Sequence, residues 1–197
     1  MSKSQERGLL VVISGPSGVG KTTIVHRVRD AVDAIFSVSA TTRPRSDSER
    51  EGEDYYFVSI DQFENMLQSG AFLENAEVFG RHRYGTPKEP VEAALAAGQV
   101  MLLDIDVQGG IQVRRNMPGA LMIFILPPSD EELHRRLQDR GRDDAEAIDR
   151  RYNEAKREIR LARQSGAYDH FIVNDDLDLA VREATAIIRQ ARSGQVA

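Results

Sequence analysis

Residues Gly15-Pro16-Ser17-Gly18-Val19-Gly20-Lys21-Thr22 fit a pattern of glycine, four free positions and then Gly-Lys-Ser/Thr. Glycines let a backbone turn so that successive N–H groups face one point, beside the positive end of a following helix, and phosphate oxygens bind there. In such a loop Lys21 reaches the β- and γ-phosphates of a nucleoside triphosphate, and the Thr22 hydroxyl ligates Mg²⁺. The pattern means this only between a strand and a helix. Residues 9–13 are a continuous apolar run rich in β-branched side chains, as a buried strand requires. After the loop, Ile24, Val25, Val28, Ala31 and Val32 recur at helical spacing.

Three further stretches hold groups that could do chemistry. The apolar run 100–103 ends at Asp104, where a phosphate loop commonly keeps an acidic residue near its metal, so Asp104 and Asp106 are site candidates. Residues 40–54 form a long polar segment, which inside a compact domain is more often functional or mobile than filler. From 135 to 163 arginines, among them Arg135, Arg136, Arg140, Arg142, Arg150 and Arg151, mix with acids and few large apolar residues. That composition suits an exposed helical lobe or a moving lid. His26, His82, His134 and His170 show no metal-ligand spacing and read as solvated or structural.

The elements that position these groups alternate. Residues 35–39 read as a second strand and 55–58 as another; Asp61 can cap a helix carrying Phe63, Met66 and Leu67 that stops at Gly70. Residues 72–79 look extended, with a hairpin turn and return over 80–85. Thr86, Pro87 and Glu89 have the spacing of a cap, a first helical proline and a capping-box acid, opening a helix that ends near Gly98. Residues 121–126 are a buried strand closed by two prolines, and Ser129 with Glu132 predicts a second capping box. A last strand at 170–173 precedes an amphipathic helix bearing Leu177, Leu179, Val181, Ala184, Ile187 and Ile188. Strands alternating with helices predict an α/β fold, a parallel sheet covered on both faces with its ligand crevice at the strands' carboxyl ends. The short pieces between 55 and 85 predict a small strand-and-helix insertion.

At 197 residues the chain suits one domain. The absence of cysteine excludes disulfide and thiolate chemistry and suits a reducing compartment, so the expected location is cytoplasmic. No signal-peptide pattern and no run of membrane-spanning length is present, which predicts a soluble chain with no membrane partner. With 26 basic and 31 acidic residues the net charge is −5, against a general nucleic-acid surface. Any phosphate chemistry must then rely on local arginines. No obligate protein partner is implied.

A phosphate loop serves GTPases, motors, transporter subunits and small-molecule kinases alike. A GTPase of this size should carry an Asn-Lys-x-Asp guanine motif, and none is present. A polar insertion and an arginine-rich lobe suit a kinase that holds two anionic substrates and excludes water while they react. The chain resembles the guanylate kinases, which phosphorylate GMP with ATP. The resemblance rests on Ile13-Ser14-Gly15-Pro16-Ser17-Gly18-Val19-Gly20-Lys21, Ser37-Val38-Ser39-Ala40-Thr41-Thr42-Arg43, Gly52-Glu53-Asp54-Tyr55-Tyr56-Phe57-Val58, Tyr84-Gly85-Thr86, Leu103-Asp104-Ile105-Asp106-Val107-Gln108-Gly109 and Ile172-Val173-Asn174-Asp175-Asp176. It runs from about residue 8 to 188 with the motifs in order.

The resemblance implies a P-loop kinase core of parallel sheet and flanking helices (1–38, 86–130 and 161–197), a GMP-binding part (39–85) and a helical lid (131–160). It assigns ATP to Gly15, Pro16, Ser17, Gly18, Val19, Gly20, Lys21, Thr22 and Thr23, with Asn174 near the adenine and Mg²⁺ on Thr22. Arg43 and Tyr55 hold the GMP phosphate, Tyr84 completes that pocket, and Glu74 reads the base with Ser39, Thr86 and Asp104. Guanine presents N1–H and its N2 amino group side by side, a donor pair one carboxylate can accept and adenine lacks. Lys21, Arg43, Arg136, Arg140 and Arg151 gather charge on the moving phosphoryl group, which a single inserted arginine can speed by roughly 10³–10⁵.

One stretch departs from the family pattern. After Thr-Thr the family usually has Arg-x-Pro-Arg-x-Gly-Glu, whereas this chain has Arg43-Pro44-Arg45-Ser46-Asp47-Ser48-Glu49. The second phosphate-binding arginine therefore falls on Ser46, one place after Arg45, which takes the role after a local shift. Two other readings compete: a guanylate-kinase-like interaction domain of a scaffold protein, and a related kinase for another small phosphate ester such as ribose bisphosphate. The intact loop and the lid arginines oppose the first; Glu74, Tyr55, Thr86 and Ser39 oppose the second.

Overall fold

The computed structural model describes residues 7–78, 80–139 and 144–194. In chain order the elements are β1 (Leu9–Ser14), α1 (Lys21–Val32), β2 (Ile35–Phe36), β3 (Ser39–Thr41), β4 (Tyr55–Phe57), α2 (Ile60–Gln68), β5 (Phe72–Val78) and β6 (His82–Pro87). They continue as α3 (Lys88–Ala96), β7 (Val100–Asp104), α4 (Val107–Asn116), β8 (Leu121–Leu126), α5 (Asp130–Gln138), α6 (Ala145–Ser165), β9 (His170–Val173) and α7 (Leu177–Arg192). The expected Arg140 and Arg142 lie outside the described residues. Among the described residues no helix is long and apolar enough to cross a membrane.

Five strands form a parallel sheet in the order β2-β7-β1-β8-β9. Side chains alternate across a strand, and both faces here are covered. Val11, Ile13, Ile123 and Ile125 pack with α1 and α7, while Leu10, Val12, Met122 and Phe124 pack on the other face with residues of α3, α4 and α6. β1 is thus buried on both sides between β7 and β8, and the loop that follows it emerges at the carboxyl end of the sheet, where open α/β folds bind ligands.

A second, four-stranded sheet has the order β4-β3-β6-β5, with β3 and β4 parallel and the β5–β6 hairpin antiparallel. Its own core is Ala40, Phe63 and Phe72, the two rings stacked 4.5 Å apart. The continuous run 35–39 does not form one strand. Residues 35–36 pair with β7, the Ser37 N–H donates to the Leu102 carbonyl at 3.1 Å, and the chain then crosses to the second sheet as β3.

Three predicted helix starts differ in detail. Ser59, not Asp61, caps α2, in a capping box completed by Gln62. Thr86 and Pro87 end β6 instead of opening α3, because the Thr86 hydroxyl is held by Glu74 and caps nothing. Ser129 accepts from the Glu132 N–H as expected, but the Glu132 carboxylate turns to Arg135 and Arg136. Helix α4 was not predicted at all, since Gly109 and Gly110 lower local helix propensity.

Phe124 lies fully buried in β8, its ring 5.1 Å from that of Tyr168. Phe124→Ala should lower the unfolding free energy by about 3–5 kcal/mol, read from urea denaturation of both proteins.

Candidate active site

The loop after β1 holds Gly18 and Gly20 at φ 87° and 88°, in the left-handed region that side chains disfavour. Gly20 is the N-cap of α1 and supplies no capping side chain, so the first-turn N–H groups keep their affinity for an anion. Gly15, Pro16, Ser17, Gly18, Gly20, Lys21 and Thr22 line a concavity of about 250 Å³.

Neighbouring elements grip this loop from three sides. The register sets Ile13 of β1 beside Asp104 of β7, and the Lys21 ammonium bonds the Asp104 carboxylate. From α6, Arg151 Nη2 donates to Ser17 Oγ at 2.6 Å. After β9, the Asn174 amide donates to the Val19 carbonyl at 2.7 Å. A side chain on Gly18 would meet Leu137 of α5 at 2.9 Å, so the helical pair α5–α6 packs directly on the loop.

A second group of polar residues gathers on the smaller sheet. Arg43 places Nη1 and Nη2 at 3.0 and 2.5 Å from the two oxygens of Glu49, which also accepts from the Ser46 N–H at 2.8 Å. The paired guanidinium holds the Glu49 carboxyl down at about 2, and Glu49, with the Tyr84 phenol, raises Arg43 above its ordinary value. Arg43 lies 5.4 Å from the Tyr55 ring centre, and Tyr55 meets Tyr84 edge-on at 5.8 Å. Arg45 donates to the Glu49 backbone carbonyl at 3.2 Å, so despite the altered spacing both arginines converge on one turn. Ser39 begins β3 in register with Tyr55.

Glu74 sits on β5, buried, and accepts from the Thr86 hydroxyl at 2.6 Å. Its other oxygen faces α4, where a Cβ on Gly109 would lie 3.2 Å away. Burial pushes the Glu74 carboxyl up, the Thr86 bond opposes this, and Asp106 adds to it. A phosphate cradle and cation thus stand at the carboxyl end of the parallel sheet, and an arginine-tyrosine cluster and a buried carboxylate on the smaller sheet.

Comparison with known proteins gives the chain a family. The family profile described as guanylate kinase covers residues 7–191. The chain is 50% identical over 193 residues to a guanylate kinase of Anaeromyxobacter dehalogenans, covering 96% of this chain and 84% of that protein. It is 46% identical over 192 residues to one of Thermus thermophilus, covering 96% and 84%. The crystal structure of guanylate kinase from Anaplasma phagocytophilum superposes with a TM-score of 0.69 at 34% identity, covering 95% of this chain and 87% of that one. The chain belongs to the guanylate kinase family. Its reaction is the family's, phosphorylation of GMP by ATP.

In this member of the guanylate kinase family the arginines of α5 and α6 are unevenly placed. Arg151 touches the loop, Arg136 donates to Glu132 at 2.7 Å, and Arg135 and Arg150 pair with acids on their own helices. Glu132, gripped by Arg135 and then Arg136, is held down at about 2.

The sequence reading missed Glu158, half-buried on α6 and, seven residues after Arg151, on the same helix face. Burial, with Glu154 and Asp106 nearby, pushes its carboxyl up to about 7, offset only in part by Lys21. Beneath it Ser14 Oγ donates to the Asp106 carbonyl at 3.3 Å, and the buried Tyr168 phenol is pushed up to about 12 by burial. The seven-residue spacing was the available signal.

Two outcomes follow from these charges. Glu49→Gln should raise KM for GMP about tenfold and leave KM for ATP within about twofold in steady-state kinetics, because a neutral amide cannot hold Arg43 by two charged hydrogen bonds. Glu158 binds its proton more tightly folded than unfolded, so its contribution to stability is full below about 4.5 and is lost as pH rises to about 7. Glu158→Gln should therefore raise the melting temperature at pH 8 and leave it nearly unchanged at pH 5, measured by thermal denaturation.

Proposed function

We propose that ATP binds on the loop after β1 and GMP against the smaller sheet, in a cleft between them, and that the γ-phosphoryl group passes from one to the other. The observation that carries this reading is Glu74, a buried carboxylate with one oxygen on Thr86 and the other toward α4. Ionised, it accepts guanine N1–H and the N2 amino group together, and adenine has no such pair. Ser39 and Asp104 flank the base. dGMP carries the same base and phosphate and is proposed as a second acceptor.

Arg43, Arg45, Tyr55 and Tyr84 hold the GMP phosphate. A phosphate oxygen of GMP attacks the γ-phosphorus as the bond from γ-phosphorus to the β–γ bridging oxygen breaks, and the leaving electron pair stays on ADP. The attacking oxygen is already anionic, so no general base is needed. Lys21, Arg43, Arg136, Arg140 and Arg151 offset the charge spread over the transferring group, the main demand of phosphoryl transfer. Lys21 exchanges Asp104 for the ATP phosphates.

Magnesium fits this donor set. Among the described residues no three acidic or histidine side chains form a metal cage, which suits an ion bound mainly through nucleotide phosphates, with the Thr22 hydroxyl as its protein ligand. When bound, it neutralises phosphate charge. The core, GMP-binding part (39–85) and lid (131–160) act as three units, the smaller two closing over the core. The chain works in the cytoplasm, as the family's metabolic role in purine nucleotides suggests.

Glu74→Gln turns one acceptor into a donor facing a guanine donor. It should cost about 10²-fold or more in kcat/KM for GMP with KM for ATP unchanged, and the rise of wild-type GMP affinity with pH should vanish with it. Measuring ADP release for both proteins over a pH series checks this; undiminished GMP turnover would remove Glu74 from base reading.

A further inference from the structure

The geometry points to Asn174 as a positioning residue that sets the direction of the Gly20 N–H in the phosphate loop, a different part from the adenine contact that resemblance implies. The inference rests on the proposed reading of residues 15–22 as the donor phosphate site. Asn174 directly follows β9, and its backbone N–H donates to the Leu126 carbonyl at 2.8 Å, which anchors it at the carboxyl ends of β8 and β9. The residue is only 6% exposed.

Its side chain is turned into the loop. The Asn174 Nδ2 donates to the Val19 carbonyl at 2.7 Å, and since that oxygen can only accept, the amide orientation follows from chemistry. The Val19–Gly20 peptide is trans, as are all peptide bonds among the described residues. In a planar trans peptide the carbonyl and the N–H point in opposite directions. Drawing the Val19 carbonyl toward β9 therefore turns the Gly20 N–H away from β9.

That is how a phosphate cradle has to be built, because a carbonyl facing the phosphates would repel them and an N–H facing them binds. The fit also explains Gly20. A Cβ there would lie 2.7 Å from Asn174 Nδ2, and φ is 88°. Neither the amide nor the loop has room for a side chain between them. The bond to Val19 uses one of the two amide N–H donors, so comparing ATP with GTP as donors separates loop positioning from base contact.

The test uses Asn174→Ala and Asn174→Asp, the latter setting a carboxylate oxygen against the Val19 carbonyl. Inorganic tripolyphosphate serves as a probe without a base, and ATP and GTP are compared as donors. Both variants should raise KM for ATP and the inhibition constant of tripolyphosphate together, by about tenfold or more, with KM for GMP within about twofold and the ATP-to-GTP preference unchanged. A changed donor preference with unchanged tripolyphosphate inhibition would overturn the inference in favour of base contact. So would unchanged constants throughout, or a parallel loss for ATP and GMP with a lowered melting temperature, the mark of general destabilisation. Lys21→Ala separates the underlying reading: if tripolyphosphate inhibits that variant as it does the wild type, the assignment of the loop to donor phosphates fails and not the part given to Asn174.

Discussion

A phosphoryl group moves between two anions only where fixed donors hold both, and the donors proposed here are themselves paired. Asp104 takes Lys21, Glu49 takes Arg43, Glu132 takes Arg136, and Ser17 takes Arg151. For the three arginines the partner limits the entropy a long cationic side chain loses on binding phosphate, because most of its rotamer freedom is already gone. Lys21 instead gives up Asp104 in the proposed reaction. The backbone donors are fastened too, by the burial of β1 and by the Asn174 amide. Preorganised charge of this kind contributes more to phosphoryl transfer than any covalent participation by the protein.

The two sheets divide the work according to what each can hold. The parallel sheet, buried on both faces, gives a rigid base for the loop and for Asp104. The four-stranded sheet has a core of three buried residues and carries the arginine-tyrosine cluster and Glu74. The two meet at α4, where Gln112 donates to the Asn75 carbonyl at 3.0 Å and Asn116 to the Leu73 carbonyl at 2.7 Å. These polar ties, together with Leu73 of β5 buried in the core beside Val107 and Val113, fix β5, and therefore Glu74, against the core.

Local patterns made much of this legible from sequence. The apolar run, glycine-rich loop and helical spacing of residues 9–32 are adjacent in the chain, so strand, loop and helix could be read together. Other features are decided by distant partners. Residues 35–39 are apolar enough for one strand, and only competition between two sheets divides them. Gly109 and Gly110 lower local helix propensity, yet both are closely approached in α4: a Cβ on Gly110 would lie 2.2 Å from the Tyr168 hydroxyl and one on Gly109 3.2 Å from Glu74. The raised carboxyl of Glu158 comes from burial that no local pattern encodes. Thr86 had every local mark of a helix cap, and a buried carboxylate claimed its hydroxyl instead.

The central claim is that a guanine-reading carboxylate, not just a phosphate pocket, selects the acceptor. Offering GMP, IMP and AMP separately to the purified protein with ATP and Mg²⁺, and following ADP release, tests it most directly. IMP keeps the guanine N1–H but lacks the N2 amino group, and AMP lacks both donors. The account predicts kcat/KM falling in the order GMP, IMP, AMP, with AMP lower than GMP by about 10⁴-fold. Comparable turnover of all three would show that selection rests on the phosphate and would contradict it.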